Sequence, residues 1–200
     1  MKIVFATSNE HKLKELNGIV KSFGITNDIE FILPPEGFDP VEDGKTFEEN
    51  SYIKAKEANR LTGMISLADD SGLCVESLNG APGIYSARYA DTPQARIDKL
   101  LKAVEPFDNR RAKFVCAMTL VGKNGEILFK TTGECLGEIS REQCGSGGFG
   151  YDPIFLVNGK DGLTMAELSE IEKNQISHRG HALISVLNFI KENCFINSLK

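Results

Sequence analysis

The sequence has 200 residues, of which 41% are hydrophobic and 26% charged, with a formal net charge of −5. This composition is that of an ordinary globular protein with a sizeable core, and it excludes a largely disordered chain. The net negative charge argues against general electrostatic binding to DNA or RNA, but it leaves open small phosphorylated ligands, which a few local cations can hold.

The cysteines and the N-terminal segment predict the cellular compartment. The first fifteen residues carry too short an apolar stretch for a signal peptide, and no segment approaches the roughly 18 apolar residues of a membrane span. Five scattered cysteines without a C-x-x-C pair predict reduced thiols. We therefore expect a cytoplasmic protein with no membrane partner. The cysteines are Cys74, Cys116, Cys135, Cys144 and Cys194.

The first elements along the chain alternate between strand and helix. A β-branched apolar run at 2–6 predicts a strand, and the segment 10–20 carries apolar residues at helical spacing. A second helix is predicted over 46–63, where Thr46 and Glu49 have the spacing of a capping box. A strand, a tight polar loop and a helix are typical of the opening of an α/β fold.

The stretch SLADDSGLCV places Asp69 and Asp70 between two strand-like pieces, 64–68 and 73–78. Asp, Ser and Gly are residues with which a chain leaves a strand, so the stretch by itself predicts a turn. The alternative is a metal site, because paired carboxylates supply the oxygen ligands that Mg²⁺ prefers.

A helix and a long hairpin follow this region. The segment 91–104 has helical periodicity, with Asp91 or Thr92 at its cap and a proline in its first turn. Two long strand candidates, 113–122 and 126–139, are then separated by a Lys-Asn-Gly connection. Asn-Gly between apolar alternation is the strongest short signal for a β-hairpin.

The last part of the chain combines a glycine-rich segment with two predicted helices. After the glycine-rich segment 144–155, Thr164 and Glu167 have capping-box spacing and predict a short helix. The final helix is predicted to begin at Ser177. Because no repeat or linker interrupts the pattern, we expect one domain over 1–200, built as a mixed α/β sheet flanked by helices in two lobes.

The segment TSNEHK, residues 7–12, lies at the predicted strand-to-helix turn. Such a turn presents unpaired N–H groups and the positive end of a helix dipole, and Lys12 adds a cation in the first turn. These features predict a phosphate cradle, although Thr-Ser-Asn is also an ordinary N-cap and the Walker pattern is missing.

Lys54 and Asn50 fall inside the apolar stripe of helix 46–63. Either the lysine stem is buried and its ammonium reaches water, or the ammonium is aimed into a cleft that binds anions. Glu42 and Asp43 precede this helix. If their loop folds back toward the aspartate pair, the acids make an oxygen-rich site suited to Mg²⁺; surface acids in a loop are otherwise usually solvated.

The C-terminal third carries groups that suit a nucleotide. Phe149 and Tyr151 lie among four glycines, which permit close backbone approach while a ring stacks on a heterocyclic base; such loops are also simply turns. His178 and Arg179 open the last helix, where cations oppose the dipole unless an anion or acceptor sits there. With Lys173 nearby, these groups predict a nucleotide phosphate as substrate.

Five segments resemble, in order and spacing, the motifs of the inosine/xanthosine triphosphate pyrophosphatase family, the Ham1-type house-cleaning enzymes. They are FATSNEHKLKEL, TFEENSYIKAKEA, ADDSGLCVESLNGAPGIYSARYA, GGFGYDPIF and AELSEIEKNQISHRGHAL. The resemblance implies an elongated α/β fold with a long mixed sheet and an active-site cleft between two lobes. It also implies a homodimer and Mg²⁺-dependent hydrolysis of ITP, dITP and XTP to the monophosphate and pyrophosphate.

The resemblance also implies roles for individual positions. Asp70 matches the family's catalytic base and metal ligand, and Lys54 matches a lysine near the phosphates. Glu42 fits the family's metal-binding glutamate better than Asp43, and Asp69 is a further candidate for metal contact. Substrate contacts are implied at Thr7, Ser8, Asn9, Glu10, His11, Lys12, Ser71, Phe149, Gly150, Tyr151, Asp152, Lys173, His178 and Arg179.

Two other functions compete with this interpretation. A related pyrophosphatase of the Maf type would act on other nucleotides and shares a fold, but it does not share the SHRG helix. A non-catalytic nucleotide-binding module would keep the cradle and the stacking loop. The presence of Asp69, Asp70 and Lys54 argues against that module.

Overall fold

The computed structural model describes residues 1–22 and 29–193. Its centre is a six-stranded mixed sheet with the order β2-β1-β3-β4-β5-β6; β1 is parallel to β2 and β3, and the remaining pairs are antiparallel. The predicted mixed α/β sheet is confirmed. The strands are β1 (Lys2–Phe5), β2 (Glu30–Ile32), β3 (Ser66–Val75), β4 (Arg111–Val121), β5 (Ile127–Ile139) and β6 (Phe155–Val157).

Helices cover both faces of this sheet, and serine or threonine side chains cap most of them. Thr46, Thr92, Ser169 and Ser177 each accept a hydrogen bond from a backbone N–H in the first turn of the helix that follows, which satisfies donors that have no partner inside the helix. The helices are α1 (Glu10–Ser22), α2 (Phe47–Thr62), α3 (Pro93–Val104), α4 (Glu170–Ile176) and α5 (His178–Glu192), with 3-10 helices at Glu76–Leu78, Gly83–Arg88 and Asp152–Ile154.

The predicted hairpin is formed by β4 and β5. Their register runs from Arg111 opposite Glu138 to Val121 opposite Ile127. Gly125 adopts a left-handed φ of 83° in the connection, a conformation that glycine takes at little cost.

Two large apolar clusters lie at opposite ends of the long central strands. One contains Leu67 of β3 with the buried faces of α1 and α5, and the other contains Leu73 of β3 with α3 and β6. Asp69 and Ser71 lie between these two leucines on the same face, because side chains alternate along a strand. A polar junction in the middle of β3 therefore separates the two apolar clusters.

Strand β3 continues far beyond the end of β1. The two strands pair only through Val4 with Ser66 and Phe5 with Leu67. The chain covers this edge of β3 again at Leu73, whose N–H donates to Ser86 Oγ at 2.9 Å. Between these points no strand of the described residues pairs with this edge of β3, which we call the uncovered edge, and side chains from both faces of the sheet meet there.

The turn predicted at the aspartate pair is wrong. Asp69 and Asp70 lie inside one ten-residue strand, in which they oppose Met118 and Ala117 of β4. Pairing along the whole of β4 and the cations around both carboxylates override the local preference of Asp, Ser and Gly for turns. The second strand-like piece also ends earlier than predicted, because Glu76–Leu78 forms a 3-10 helix.

The short helix predicted at Thr164 is also wrong. Thr164 and Glu167 do contact each other, since the Thr164 N–H and hydroxyl both donate to Glu167 Oε2, but they close a turn that does not continue as a helix. The capping box belongs to Ser169 and Glu172 at the start of α4. The same T/S-x-x-E spacing occurs twice within nine residues, and only the second copy precedes a helical segment.

The structure bears on two further predictions, those of reduced cysteines and of no membrane-spanning segment. Cys74, Cys116, Cys135 and Cys144 are free thiols, as predicted, and Cys194 lies outside the described residues. Within residues 1–22 and 29–193, no helix has the length and apolarity that crossing a membrane requires.

Candidate active site

A cleft of about 370 Å³ opens along the uncovered edge of β3. This volume is in the range of sites that bind small molecules. Most of the predicted site residues line it: Thr7, Ser8, Asn9, Lys12, Glu42, Lys54, Asp70, Ser71, Phe149, Gly150, Tyr151, Asp152, Lys173, His178 and Arg179.

Three predicted residues lie outside the cleft lining. The His11 ring stacks on Phe149, with 5.5 Å between ring centroids, and so contacts a lining residue without lining the cleft itself. Asp69 is fully buried beneath the cleft surface. Glu10 is exposed at the first position of α1.

Asp69 and Asp70 face opposite sides of the sheet. They are adjacent in the chain, and successive side chains in a strand point to alternate faces. Asp70 points toward Asn50 and Lys54 of α2, whereas Asp69 points toward cations from α1 and α5. The pair therefore contributes to two different environments.

On the Asp70 face, two carboxylates converge on one ammonium. Lys54 Nζ lies 3.2 Å from Asp70 Oδ1 and 3.3 Å from Glu42 Oε1. Asn50 Nδ2 donates to the other Asp70 oxygen at 3.2 Å. Burial raises the pKa of Asp70, and the charge of Lys54 offsets this effect only in part. Asp70 therefore holds a proton more readily than an exposed aspartate.

The Lys54 ammonium is aimed into the cleft, which is one of the two hypotheses for this lysine. Its side chain is buried, and its ammonium faces the cleft between Glu42 and Asp70 rather than reaching bulk water. Burial alone would lower its pKa, but the surrounding carboxylates outweigh burial and raise the pKa. The lysine is therefore a fixed cation in the cleft.

On the opposite face, Asp69 is enclosed by cations. Lys12 Nζ lies 3.0 Å from one carboxylate oxygen, and Arg179 donates from Nε and Nη2 to the other, both at 3.1 Å. Burial would raise the pKa of Asp69, but the charges of Lys12 and Arg179 outweigh it and hold that pKa far below its usual range. Asp69 therefore stays ionised and fixes the positions of two cleft cations.

Glu15 is a further anion of this network that the sequence did not reveal. Its carboxylate contacts Arg179 Nη1 and lies 3.6 Å from Lys173 Nζ. It bridges two predicted substrate-binding cations from the buried side of α1. Glu15 belongs to a strongly charged helix segment, and no local pattern distinguishes it from the solvated acids nearby.

The glycine-rich loop presents an aromatic ring to the cleft. Asp152 accepts hydrogen bonds from the Phe149 N–H and from Lys173 Nζ, both at 2.8 Å. Lys173 Nζ also lies 5.0 Å from the centre of the Phe149 ring. A Cβ atom on Gly148 would approach Asp152 Oδ2 to 2.0 Å, so glycine is required where this loop closes.

Tyr151 lines the cleft, and its hydroxyl forms a hydrogen bond within the protein. The side chain is buried, and its hydroxyl donates to the Ser86 carbonyl at 2.9 Å. This bond ties the glycine-rich loop to the 3-10 helix Gly83–Arg88. The structure places Tyr151 as a link between two sides of the cleft.

The loop after β1 reaches the cleft through its polar residues. Thr7 Oγ1 accepts from the Asn9 N–H at 3.1 Å, and Asn9 Oδ1 accepts from the His11 N–H at 3.0 Å. The Asn9 side chain thus caps α1, as the N-cap interpretation predicts. The same cap sets Lys12 one turn later, where its ammonium lines the cleft.

Comparison with known proteins identifies the family. The model of the Ham1 family matches residues 3–189. The chain belongs to the Ham1 family. The resemblance of its five motifs is thereby confirmed over nearly the whole chain.

The alignments of this chain with similar relatives and solved structures of the Ham1 family cover nearly the full length of both proteins. The dITP/XTP pyrophosphatase of Treponema denticola is 46% identical and aligns over 96% of this chain and 99% of its own; that of Prochlorococcus marinus strain NATL1A is 44% identical, over 95% and 94%. The HAM1 protein structure from Coxiella burnetii has a TM-score of 0.84 at 41% identity, covering 96% of this chain and 99% of its own. The Staphylococcus aureus Ham1 structure has a TM-score of 0.84 at 40% identity, covering 96% and 100%.

Several lining residues of this Ham1-family cleft were not predicted. Ser86 is buried, and its hydroxyl and carbonyl both connect the 3-10 helix to its surroundings. Arg88 lies in the family-matching segment GIYSARYA, but neither the local pattern nor the resemblance gave it a role. The other unpredicted lining residues include Phe38, Asp39, Pro40, Arg96 and Phe114.

His178 is a neutral imidazole at the floor of the Ham1-family cleft. Its ring stacks on Phe114, with 4.9 Å between centroids and 14° between planes. Burial, reinforced by the charges of Arg179 and Lys173, holds its pKa well below the ordinary value. Its buried Nδ1 has no hydrogen-bond partner among the described residues, so a polar ligand atom would satisfy it.

The protonation state of His178 predicts a pH dependence of stability. The unfolded chain takes up a proton at this residue below about pH 6.5, whereas the folded protein resists it, so folding stability falls as the pH decreases. We expect His178→Phe, which retains a ring on Phe114, to reduce this loss by up to about 1.4 kcal/mol per pH unit. Urea unfolding between pH 7.5 and 5.0 measures both slopes, and equal slopes would show that His178 is protonated in the folded protein.

Proposed function

We propose that this protein is a cytoplasmic, Mg²⁺-dependent pyrophosphatase that hydrolyses ITP, dITP and XTP to the nucleoside monophosphate and pyrophosphate. The observation that carries the proposal is the cluster of Glu42, Lys54 and Asp70 in a cleft that also presents the Phe149 ring. Acids and a cation for phosphate chemistry thus share one cleft with a surface for a base. The full-length similarity to relatives named dITP/XTP pyrophosphatase supports this reaction.

The acids of the cluster fit a magnesium site. Glu42 and Asp70 both reach the same Lys54 ammonium, so their carboxylates converge on a single cationic centre. Mg²⁺ is usually held by one or two carboxylates, with water and substrate phosphate oxygens completing its coordination. Glu42 and Asp70 would hold the ion, and when bound it would supply charge that stabilises negative oxygens of the phosphate chain.

Asp70 and Lys54 then divide the work of the reaction. Water attacks the α-phosphorus, the bond from that phosphorus to the oxygen bridging it to the β-phosphorus breaks, and pyrophosphate leaves with this oxygen. Asp70 accepts the proton of the attacking water, a role favoured by its raised pKa. Lys54 is held at 3.2 Å from Asp70 and stabilises the negative charge that accumulates on phosphoryl oxygens.

The Asp69 face would recognise the purine. The Phe149 ring can stack on the base, and the unpartnered Nδ1 of His178 and the guanidinium of Arg179 offer polar contacts nearby. A site that donates a hydrogen bond to the 6-oxo group of hypoxanthine or xanthine discriminates against adenine, because the adenine 6-amino group leaves that donor unpaired. Guanine shares the 6-oxo group, so rejection of dGTP depends on its 2-amino group, which hypoxanthine and xanthine lack.

A nucleotide panel tests the reaction and its specificity. With Mg²⁺, the purified protein should release pyrophosphate from dITP and XTP about a hundredfold faster than from dATP or dGTP. A chelator should abolish release, and added Mg²⁺ should restore it. Equal rates on all four nucleotides would contradict the specificity, and orthophosphate as the sole product would contradict the reaction.

The proposal includes the assembly of the protein. We expect one two-lobed domain, with the cleft between the lobes, acting as a homodimer. The relatives and structures align over nearly all of their own lengths, which supports a single unit. Light scattering coupled to size exclusion gives the mass in solution, and a mass near 22 kDa rather than twice that value would show a monomer.

A further inference from the structure

Four of the cations that line the cleft are already neutralised within the protein. Lys12 pairs with Asp69, Lys54 with Asp70 and Glu42, Lys173 with Asp152, and Arg179 with Asp69 and Glu15. These pairs fix the geometry of the cleft. Because the positive charges are matched by buried or half-buried acids, the pairs leave little net charge for a ligand as anionic as a triphosphate.

Two other cations line the same cleft without such a partner. Arg88 and Arg96 are both lining residues, and neither makes an ion pair within 4.0 Å in the parts of the chain that the structure describes. The Arg88 guanidinium lies over the Tyr85 ring at 5.8 Å. Arg96 donates from Nε to the Ala90 carbonyl at 3.0 Å, a bond that uses only one of its five N–H donors.

Hydrogen bonds through Ser86 attach the 3-10 helix that carries Arg88 to its neighbours. Ser86 Oγ accepts from the Leu73 N–H at 2.9 Å and donates to the Gly83 carbonyl at 2.6 Å, and Tyr151 holds the Ser86 carbonyl. A Cβ atom on Gly72 would approach Gly83 O to 2.3 Å, so the 3-10 helix lies directly against β3. Arg88 is the last residue of this anchored helix.

The 3-10 helix that carries Arg88 packs against the reacting side of the cleft. Gly72 and Asp70 are two residues apart in β3, so they share a face. The Gly72 contacts with the 3-10 helix and with the ring of Phe47 show that this is the face covered by α2. The 3-10 helix that ends at Arg88 therefore lies, at Gly83 and Ser86, on the side of Asp70 and Lys54, whereas Arg179 and the Phe149 ring lie on the Asp69 side.

We propose that Arg88 binds the terminal phosphates of the nucleotide, the part that leaves as pyrophosphate. This inference rests on the proposed function. A nucleotide that crosses the uncovered edge of β3 places its neutral base on the Asp69 side and its charged chain on the Asp70 side. Arg88, which lacks a protein anion, then meets the strongest negative charge of the substrate, and its planar guanidinium group can bind two phosphate oxygens at once.

The experiment compares ligands that contain and lack the terminal phosphates. Calorimetry with Mg²⁺ measures the binding of inorganic tripolyphosphate, pyrophosphate and deoxyinosine monophosphate, and it requires no turnover. In Arg88→Gln, the dissociation constants of tripolyphosphate and pyrophosphate should rise about tenfold, as expected for a lost charge-assisted contact. The constant of the monophosphate should stay within about twofold of the wild-type value, and Arg88→Lys should recover part of the loss.

Arg141→Gln provides a matched control. Arg141 lines a separate surface cavity with Arg110 and Arg111, so its loss changes the net charge equally without touching the cleft. It should leave all three dissociation constants unchanged. An equal loss in Arg141→Gln would reduce the Arg88 effect to overall charge, and an equal loss of monophosphate binding in Arg88→Gln would place this arginine at the nucleoside or α-phosphate instead.

The experiments distinguish a failure of the Arg88 subsite from a failure of the proposed function. If the wild-type protein binds tripolyphosphate and Arg88→Gln binds it equally well, the arginine subsite is wrong while the reaction still stands. If the wild-type protein cleaves neither dITP nor XTP, the proposed function is wrong, and the tripolyphosphate comparison still reports whether Arg88 binds a phosphate chain.

Discussion

Asp70→Asn should lower the turnover number for dITP about a thousandfold and leave the free energy of unfolding nearly unchanged. The amide cannot accept the proton of the attacking water, and it is a weaker ligand for a divalent cation. The fold should persist, because Lys54 keeps Glu42 at 3.3 Å as its counter-ion after the substitution. Pyrophosphate release at saturating Mg²⁺, together with urea unfolding of the same preparation, measures both quantities.

Asp98→Asn is the matched control for this variant. Asp98 is exposed on α3 and accepts from Gln94 Nε2, so its loss removes the same charge away from the cleft. Its turnover should equal that of the wild-type protein. Turnover of Asp70→Asn within about tenfold of the wild-type value would be too small a loss for the residue that activates water, and it would assign that role to another group.

Local signals in the sequence predicted the elements whose ends are decided locally. The caps at Thr46 and Ser177 and the connection that contains Gly125 are confirmed, because each depends on contacts within three or four residues. Helical spacing also placed Lys54 among buried residues of α2. Period and cap chemistry were sufficient in these cases, because the relevant neighbours are close in the chain.

The strand through the aspartate pair could not be predicted from local signals. Its ten residues are held by pairing with β4, some 45 residues away, and by Lys12 and Arg179 on one face and Lys54 on the other. Asp, Ser and Gly predict a turn only where such partners are absent. The sequence therefore revealed the importance of the pair, and the continuous strand explains why its two members differ.

The sequence also showed no sign of charged residues whose importance depends on contacts that only the fold creates. Glu15 and Arg88 are an acid and a base in polar segments, where most such residues are solvated. Their positions become informative only when the fold brings Glu15 against Arg179 and sets Arg88 on a helix anchored to β3. Both residues lie inside motifs that resemble the family, but the resemblance assigned a role to neither of them.

Asp69→Asn should have the opposite profile to Asp70→Asn, with a free energy of unfolding lower by about 3–5 kcal/mol. Asp69 is completely buried and neutralises Lys12 and Arg179 on one face of β3. An amide of the same shape leaves Lys12 without its anion and Arg179 with Glu15 alone. An uncompensated buried charge is costly. Urea unfolding should show a lower midpoint with an unchanged slope.

The comparison of the two neighbours separates positioning from chemistry. At urea concentrations below its unfolding transition, Asp69→Asn should retain more turnover than Asp70→Asn. Asp70, Lys54 and Glu42 lie on the opposite face of β3, which this substitution does not change. Its KM for dITP should rise, since Lys12 and Arg179 lose the carboxylate that orients them. If Asp69→Asn were as stable as the wild-type protein and as inactive as Asp70→Asn, both aspartates would act on the substrate and the alternation of faces would not divide their roles.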